Sequence, residues 1–103
     1  MRTVVETELF QKFWPRYWTE DERDDFASYI ASNPLAGQLV PGSGGIRKVR
    51  WSRARMGKSG GVRVIYFLRN AEGQVVLLTL YAKSEVETLT GPQLKEIRRA
   101  LED

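Results

Sequence analysis

The sequence predicts an α+β fold in the order β-α-α-β-β-β-α, with a small antiparallel-dominated sheet carrying its helices on one face. Three observations predict it. Two capping signatures, Thr19 with Glu22 and Thr90 with Gln93, open segments whose apolar residues recur at helical spacing. Three runs rich in β-branched and aromatic residues (46–52, 62–69 and 75–82) are separated by glycine-rich or turn-forming stretches. Finally, 103 residues with 42% hydrophobic side chains suffice for one modest core and not for two, so residues 1–103 are expected to form a single domain.

Residues 2–7 carry the pattern of a short strand. Leu9, Phe10, Phe13 and Trp14 then have the spacing of one short helix, which Pro15 is expected to end. Thr19 begins a second helix with acidic residues in its first turn and Phe26, Tyr29 and Ile30 on one face, stopped by Asn33-Pro34. Residues 36–45 run into Pro-Gly-Ser-Gly-Gly and are expected to be a loop.

The 46–52 run alternates, so Val49 and Trp51 facing the core would send Lys48 and Arg50 to an open face. Residues 53–61 form a basic, glycine-rich loop, 62–69 a strand, 70–73 a turn, and 75–82 a nearly continuous apolar strand of the mid-sheet kind. A terminal helix follows, with Pro92 in its first turn and Leu94, Ile97 and Leu101 on one face.

Charge is distributed unevenly. Residues 1–25 hold four basic and seven acidic side chains, residues 26–71 eight basic and none acidic, and residues 72–103 four and six, within a net charge of +3. The eight are Arg47, Lys48, Arg50, Arg53, Arg55, Lys58, Arg63 and Arg69, interleaved with Trp51 and Tyr66. Cations without compensating carboxylates attract phosphate in a salt-dependent way, and flanking aromatics can stack on unpaired bases.

Other chemistries are excluded on residue grounds. The chain has no Cys and no His, which removes disulfides, the usual zinc ligand sets, and Ser-His or Cys-His nucleophile pairs, so no metal or other cofactor is expected. Gly57-Lys58-Ser59 resembles the end of a phosphate-binding P-loop, but Ser52 occupies the place of the leading glycine and a strand pattern follows. The glycines at 42, 44 and 45 make no dinucleotide fingerprint, since Arg47 stands where another glycine is needed. No stretch approaches 18 apolar residues, and Glu6 and Glu8 interrupt the opening segment, so no membrane role and a cytoplasmic location are expected. What remains is Lys, Arg and Tyr, a set that can position a phosphodiester and offset charge on its oxygens. Such chemistry suits RNA, whose 2′-hydroxyl supplies the nucleophile.

Four blocks carry a family resemblance: an Arg-Lys-x-Arg strand (47–50), a Gly-Lys-x-Gly-Gly loop (57–61), an Arg-Val-Ile-Tyr strand (63–66) and a Tyr-x-Lys strand end (81–83). Together they resemble the HigB branch of the RelE toxin superfamily, over most of the chain. The resemblance implies a compact fold like that of microbial ribonucleases, cleavage of mRNA on the ribosome without a cofactor, and neutralisation by a cognate helix-turn-helix antitoxin of the HigA kind. By position, Lys48 and Arg50 match the family's basic strand pair, Arg63 its phosphate-binding arginine and Lys83 the basic residue closing the last strand; these four are the candidate catalytic residues. Arg47, Arg53, Arg55, Lys58, Tyr66 and Tyr81 are the candidate RNA-binding residues. Lys48 is the first choice as general base, and Tyr66 or Tyr81 would supply the acid or stacking group that relatives place in the last helix. Two competing functions are a gyrase inhibitor of the related ParE type and a basic, non-catalytic nucleic-acid-binding module.

Overall fold

The computed structural model describes residues 1–52, 61–85 and 89–102. The first strand, β1 (Thr3–Glu6), passes through Thr7 into α1 (Glu8–Tyr17). Thr7 joins the two: its Oγ1 accepts from the Phe10 amide at 3.1 Å and donates to the Leu78 carbonyl at 2.7 Å. Pro15 lies inside α1, which runs on to Tyr17, so the expected stop at proline is corrected. The hydrogen bond that Pro15 cannot make belongs to the carbonyl of Gln11, an exposed residue where water can take it, and buried Trp18 anchors the chain just beyond.

The next helix, α2 (Glu20–Ser32), opens on the expected capping box, with the Glu22 amide donating to Thr19 Oγ1 at 3.2 Å and the Thr19 amide to Glu22 Oε1 at 3.0 Å. It closes where both the backbone amide and Nδ2 of Asn33 donate to the Tyr29 carbonyl, each at 2.9 Å.

Five strands follow the order β1-β5-β4-β3-β2, with β2 (Gln38–Leu39), β3 (Ile46–Trp51), β4 (Val62–Arg69) and β5 (Gln74–Ala82). The three consecutive antiparallel strands are as expected, linked between β4 and β5 by a tight turn at Asn70–Glu72 that Gly73 leaves at φ 63°. The short β2 falls in the segment expected to be loop, where two residues pair with Lys48 and Arg47. The outermost strand, β1, pairs in parallel with β5.

Each face of the sheet has its own core. Phe10, Trp18, Phe26 and Ile30 of the α1–α2 layer pack on Val62, Val64, Tyr66, Val75, Leu77 and Leu80. On the other face α3 (Gly91–Glu102), capped by Thr90 and Gln93 as expected, lays Leu94, Ile97 and Leu101 against Ile46, Ile65, Phe67, Val76 and Leu78. The α+β class stands, and the element order gains the short β2 before the three expected strands; the placement of all helices on one face is corrected. The cause lies in β5, buried on both sides from Val75 to Tyr81, because a strand apolar on both faces needs a covering layer on each.

Candidate nucleic-acid interface

The structure sorts the basic segment by strand alternation. In β3, Val49 and Trp51 turn toward the α1–α2 core, as expected, so Lys48 and Arg50 occupy the opposite face. Register aligns the neighbours. Arg50 stands opposite Arg63, and Arg63 opposite Tyr81, making one row across three strands. The next row on the same face is Lys48, Ile65 and Thr79. Directly opposed Cα atoms in antiparallel pairs lie about 4.5–5.5 Å apart and diagonal neighbours about 7–8 Å, so Lys48, Arg50 and Arg63 can share one phosphodiester.

This patch lies on the face that α3 covers only in part, toward the end of the sheet where β3 and β5 finish and β4 begins. Arg50 is exposed, while Lys48 and Arg63 are half-buried. Nη1 of Arg63 is buried and has no hydrogen-bond partner among the described residues. Gly61 precedes β4 at φ 68°, where an added Cβ would collide with the Trp51 carbonyl, so the backbone beside Arg63 requires glycine. Lys83 follows the last paired residue, Ala82, at the same end of the sheet and is exposed.

Tyr81 belongs to this row but offers no ring for stacking, being 6% exposed and packed in the α3-side core. Burial pushes its phenol above the usual 10.0, against a hydrogen bond with the Leu89 backbone and the charge of Arg63, so it is a neutral hydroxyl at physiological pH. It walls the Arg63 side chain instead.

Two expected RNA-binding residues lie away from the open face. Tyr66 is fully buried on the opposite face, where its hydroxyl accepts from the Gly37 amide and donates to the Pro34 carbonyl, both at 2.8 Å. Arg47 shares that face and donates from Nη1 to the Gly37 carbonyl at 2.6 Å. Together they fasten the segment between α2 and β2 to the sheet. Arg69 is also spoken for, at the far end of β4, through Glu102 at 2.7 Å and Glu72 at 3.8 Å. Arg53, Arg55 and Lys58 lie outside the described residues. The basic segment thus contributes Lys48, Arg50 and Arg63 to the open face among the described residues, a narrower site than charge counting implied.

Thr79 was missed by sequence reasoning. It sits in the Lys48 row, 6% exposed, and the available signal was a lone hydroxyl within the apolar run of β5. A cavity of about 730 Å³ runs along α3 beside Gly42 and Gly44, away from this row, and its arginines are ion-paired, Arg98 with Glu102 and Arg99 with Glu96. No helix of the described residues is long and apolar enough to cross a membrane.

No protein-family model matches the sequence. Among solved structures, the fold is similar to that of a doubly arginine-substituted mutant of the E. coli toxin RelE in the free state, at 12% sequence identity, over 97% of this chain and 93% of that one, with a TM-score of 0.60. The fold expected from the resemblance is therefore the observed one.

Proposed function

We propose that the chain is a RelE-type toxin of a toxin–antitoxin pair, of the HigB kind, acting as a ribosome-dependent mRNA endoribonuclease that a HigA-like antitoxin neutralises. The observation that carries this reading is the row in which Arg50 stands opposite Arg63, with Lys48 on the same face of the sheet. Guanidinium groups set on one face at this spacing match the geometry of a phosphodiester's oxygens. The RelE-like fold supports the same reading.

In this reading Arg63 and Arg50 hold the scissile phosphate and offset charge developing on its equatorial oxygens. Lys48 takes the proton of the adjacent 2′-hydroxyl, the 2′-oxygen bonds to phosphorus, and the bond to the 5′-oxygen breaks as that oxygen takes a proton from solvent water. The products are a 2′,3′-cyclic phosphate and a 5′-hydroxyl. Lys83, exposed at the strand end, adds positive charge at the margin. A site without His or a carboxylate pair gains much from mRNA already ordered in the ribosome, since orientation alone can supply about 7–11 kcal/mol of a barrier.

Primer extension on mRNA from cells expressing the chain tests the reading. Codon-associated cuts that recur with purified ribosomes, and vanish without them, are expected. Intact mRNA with stalled gyrase would replace the proposal with the ParE-type reading, and neither effect would leave a non-catalytic binding module.

A further inference from the structure

The row of Arg50, Arg63 and Tyr81 does not stop at β5. Opposite β5, β1 reaches only from Gln74 to Leu77, so residues 79–82 have no strand partner on their outer side among the described residues. Along that open edge lies a groove of about 170 Å³. Thr79, Leu80 and Tyr81 form its floor, Leu9, Phe13 and Tyr17 of α1 one wall, and Leu89 and Ile97 the other. Arg16, an exposed residue in the last turn of α1, stands at its margin.

We infer that this groove is a subsite for one unpaired base of the RNA strand, with Arg16 meeting the phosphate on the far side of that base. The inference rests on the proposed function and extends it from the scissile phosphate to the neighbouring nucleotide. Continuity argues for RNA as the occupant. Strands are about 4.8 Å apart, so Arg50, Arg63 and Tyr81 descend stepwise toward the groove, and a chain whose phosphate sits at Arg63 reaches it with its next residue. Chemistry argues the same way: the walls include the aromatic rings of Phe13 and Tyr17, Thr79 supplies a hydroxyl, and a cation flanks the opening. Size also fits, because the volume is well below the roughly 300 Å³ at which drug-sized sites begin and suits a single planar base.

The test titrates the full chain, at low salt, with a 2′-O-methylated tetranucleotide that cannot be cleaved, and with versions made abasic at each position in turn. One abasic position should weaken binding on the order of tenfold, and the methyl signals of Leu9, Leu89 and Ile97 should move with the intact probe and stay still with that abasic one. Leu9→Trp, which fills the groove, should abolish the difference; Arg16→Gln, at an exposed position, should weaken every probe without touching the fold. A flat abasic scan with still groove methyls, while Arg63→Ala weakens binding, would overturn the base subsite and leave the proposed function standing. Unchanged RNA binding by Leu9→Trp together with escape from antitoxin would reassign the groove to the protein partner. Absence of binding by the wild-type chain, in solution and on ribosomes alike, would overturn both readings.

Discussion

Replacing Arg63 with alanine should separate activity from stability in opposite directions. The side chain is half-buried, its Nη1 has no hydrogen-bond partner among the described residues, and its cross-strand neighbour is Arg50. Removing it therefore strands no partner of that buried nitrogen and removes one of two like charges opposed across the strands, worth at most about 0.2–1 kcal/mol. Against that gain stands the packing of its aliphatic stem beside Tyr81. The two are of similar size, so the unfolding midpoint in urea should shift little. Activity should respond otherwise: a charged contact made in the transition state is worth roughly 2.7–4 kcal/mol, or about 10²–10³ in rate. The assay is single-turnover cleavage of mRNA on programmed ribosomes at matched folded concentration, with growth arrest as the cellular readout. Full cleavage by Arg63→Ala would refute the phosphate assignment. A collapse of the unfolding midpoint would refute the argument differently, by showing that Arg63 holds the sheet together.

Four further outcomes are expected. Lys48→Arg keeps the charge but cannot release a proton near neutral pH, so ribosome binding should persist while cleavage falls about 10²–10⁴-fold; near-normal cleavage would restrict Lys48 to electrostatics. Tyr66→Phe should cost about 1–3 kcal/mol by stranding the Gly37 amide, with cleavage per folded molecule unchanged, whereas a stacking role would lower cleavage instead. Burial raises the phenols of Tyr66 and Tyr81 above 10.0 in the fold, so the stability they contribute is complete below pH 10 and declines as pH rises past it toward their folded values; alkaline melts of the wild type and Tyr66→Phe should show a smaller decline in the variant. An antitoxin that reaches the basic face with acidic residues should associate more slowly as salt rises, and a salt-independent association rate would place its docking on the apolar helices.

How much of this was legible in the sequence depends on which rule was carried through. The two capping boxes are local, involve side chains three residues from their partners, and appear as read. Strand alternation placed Lys48 and Arg50 on the open face because Val49 and Trp51 declared the other. The same alternation, continued one residue back, puts Arg47 with the core, and in β4 it puts Tyr66 with Val62 and Val64; counting charges and aromatics as a patch overrode a signal already present. The side on which α3 packs was also implicit in the doubly apolar β5. Register, by contrast, has no local signature here: that Arg50 meets Arg63, and that β1 stops short enough to open a groove beside Thr79, follows from pairings between distant segments.

The face beneath the cationic row explains how the sheet sustains it. Trp51, which follows Arg50, lies 5.0 Å from Tyr29 and 5.2 Å from Phe26 between ring centroids; Phe26 lies 5.3 Å from Trp18, and Trp18 6.1 Å from Phe10. Aromatic pairs of this kind contribute about 0.5–1.5 kcal/mol each beyond the area they bury, and two of them meet at Trp51 alone. Their sum exceeds the repulsion between Arg50 and Arg63 on the other side of the same strands. Alternation therefore lets one stretch of β3 hold the fold with its odd-numbered residues and present Lys48 and Arg50 on the open face with its even ones. A substitution weakening the aromatic line would act on the site through the position of β3, while one at Arg50 or Arg63 would act on it directly.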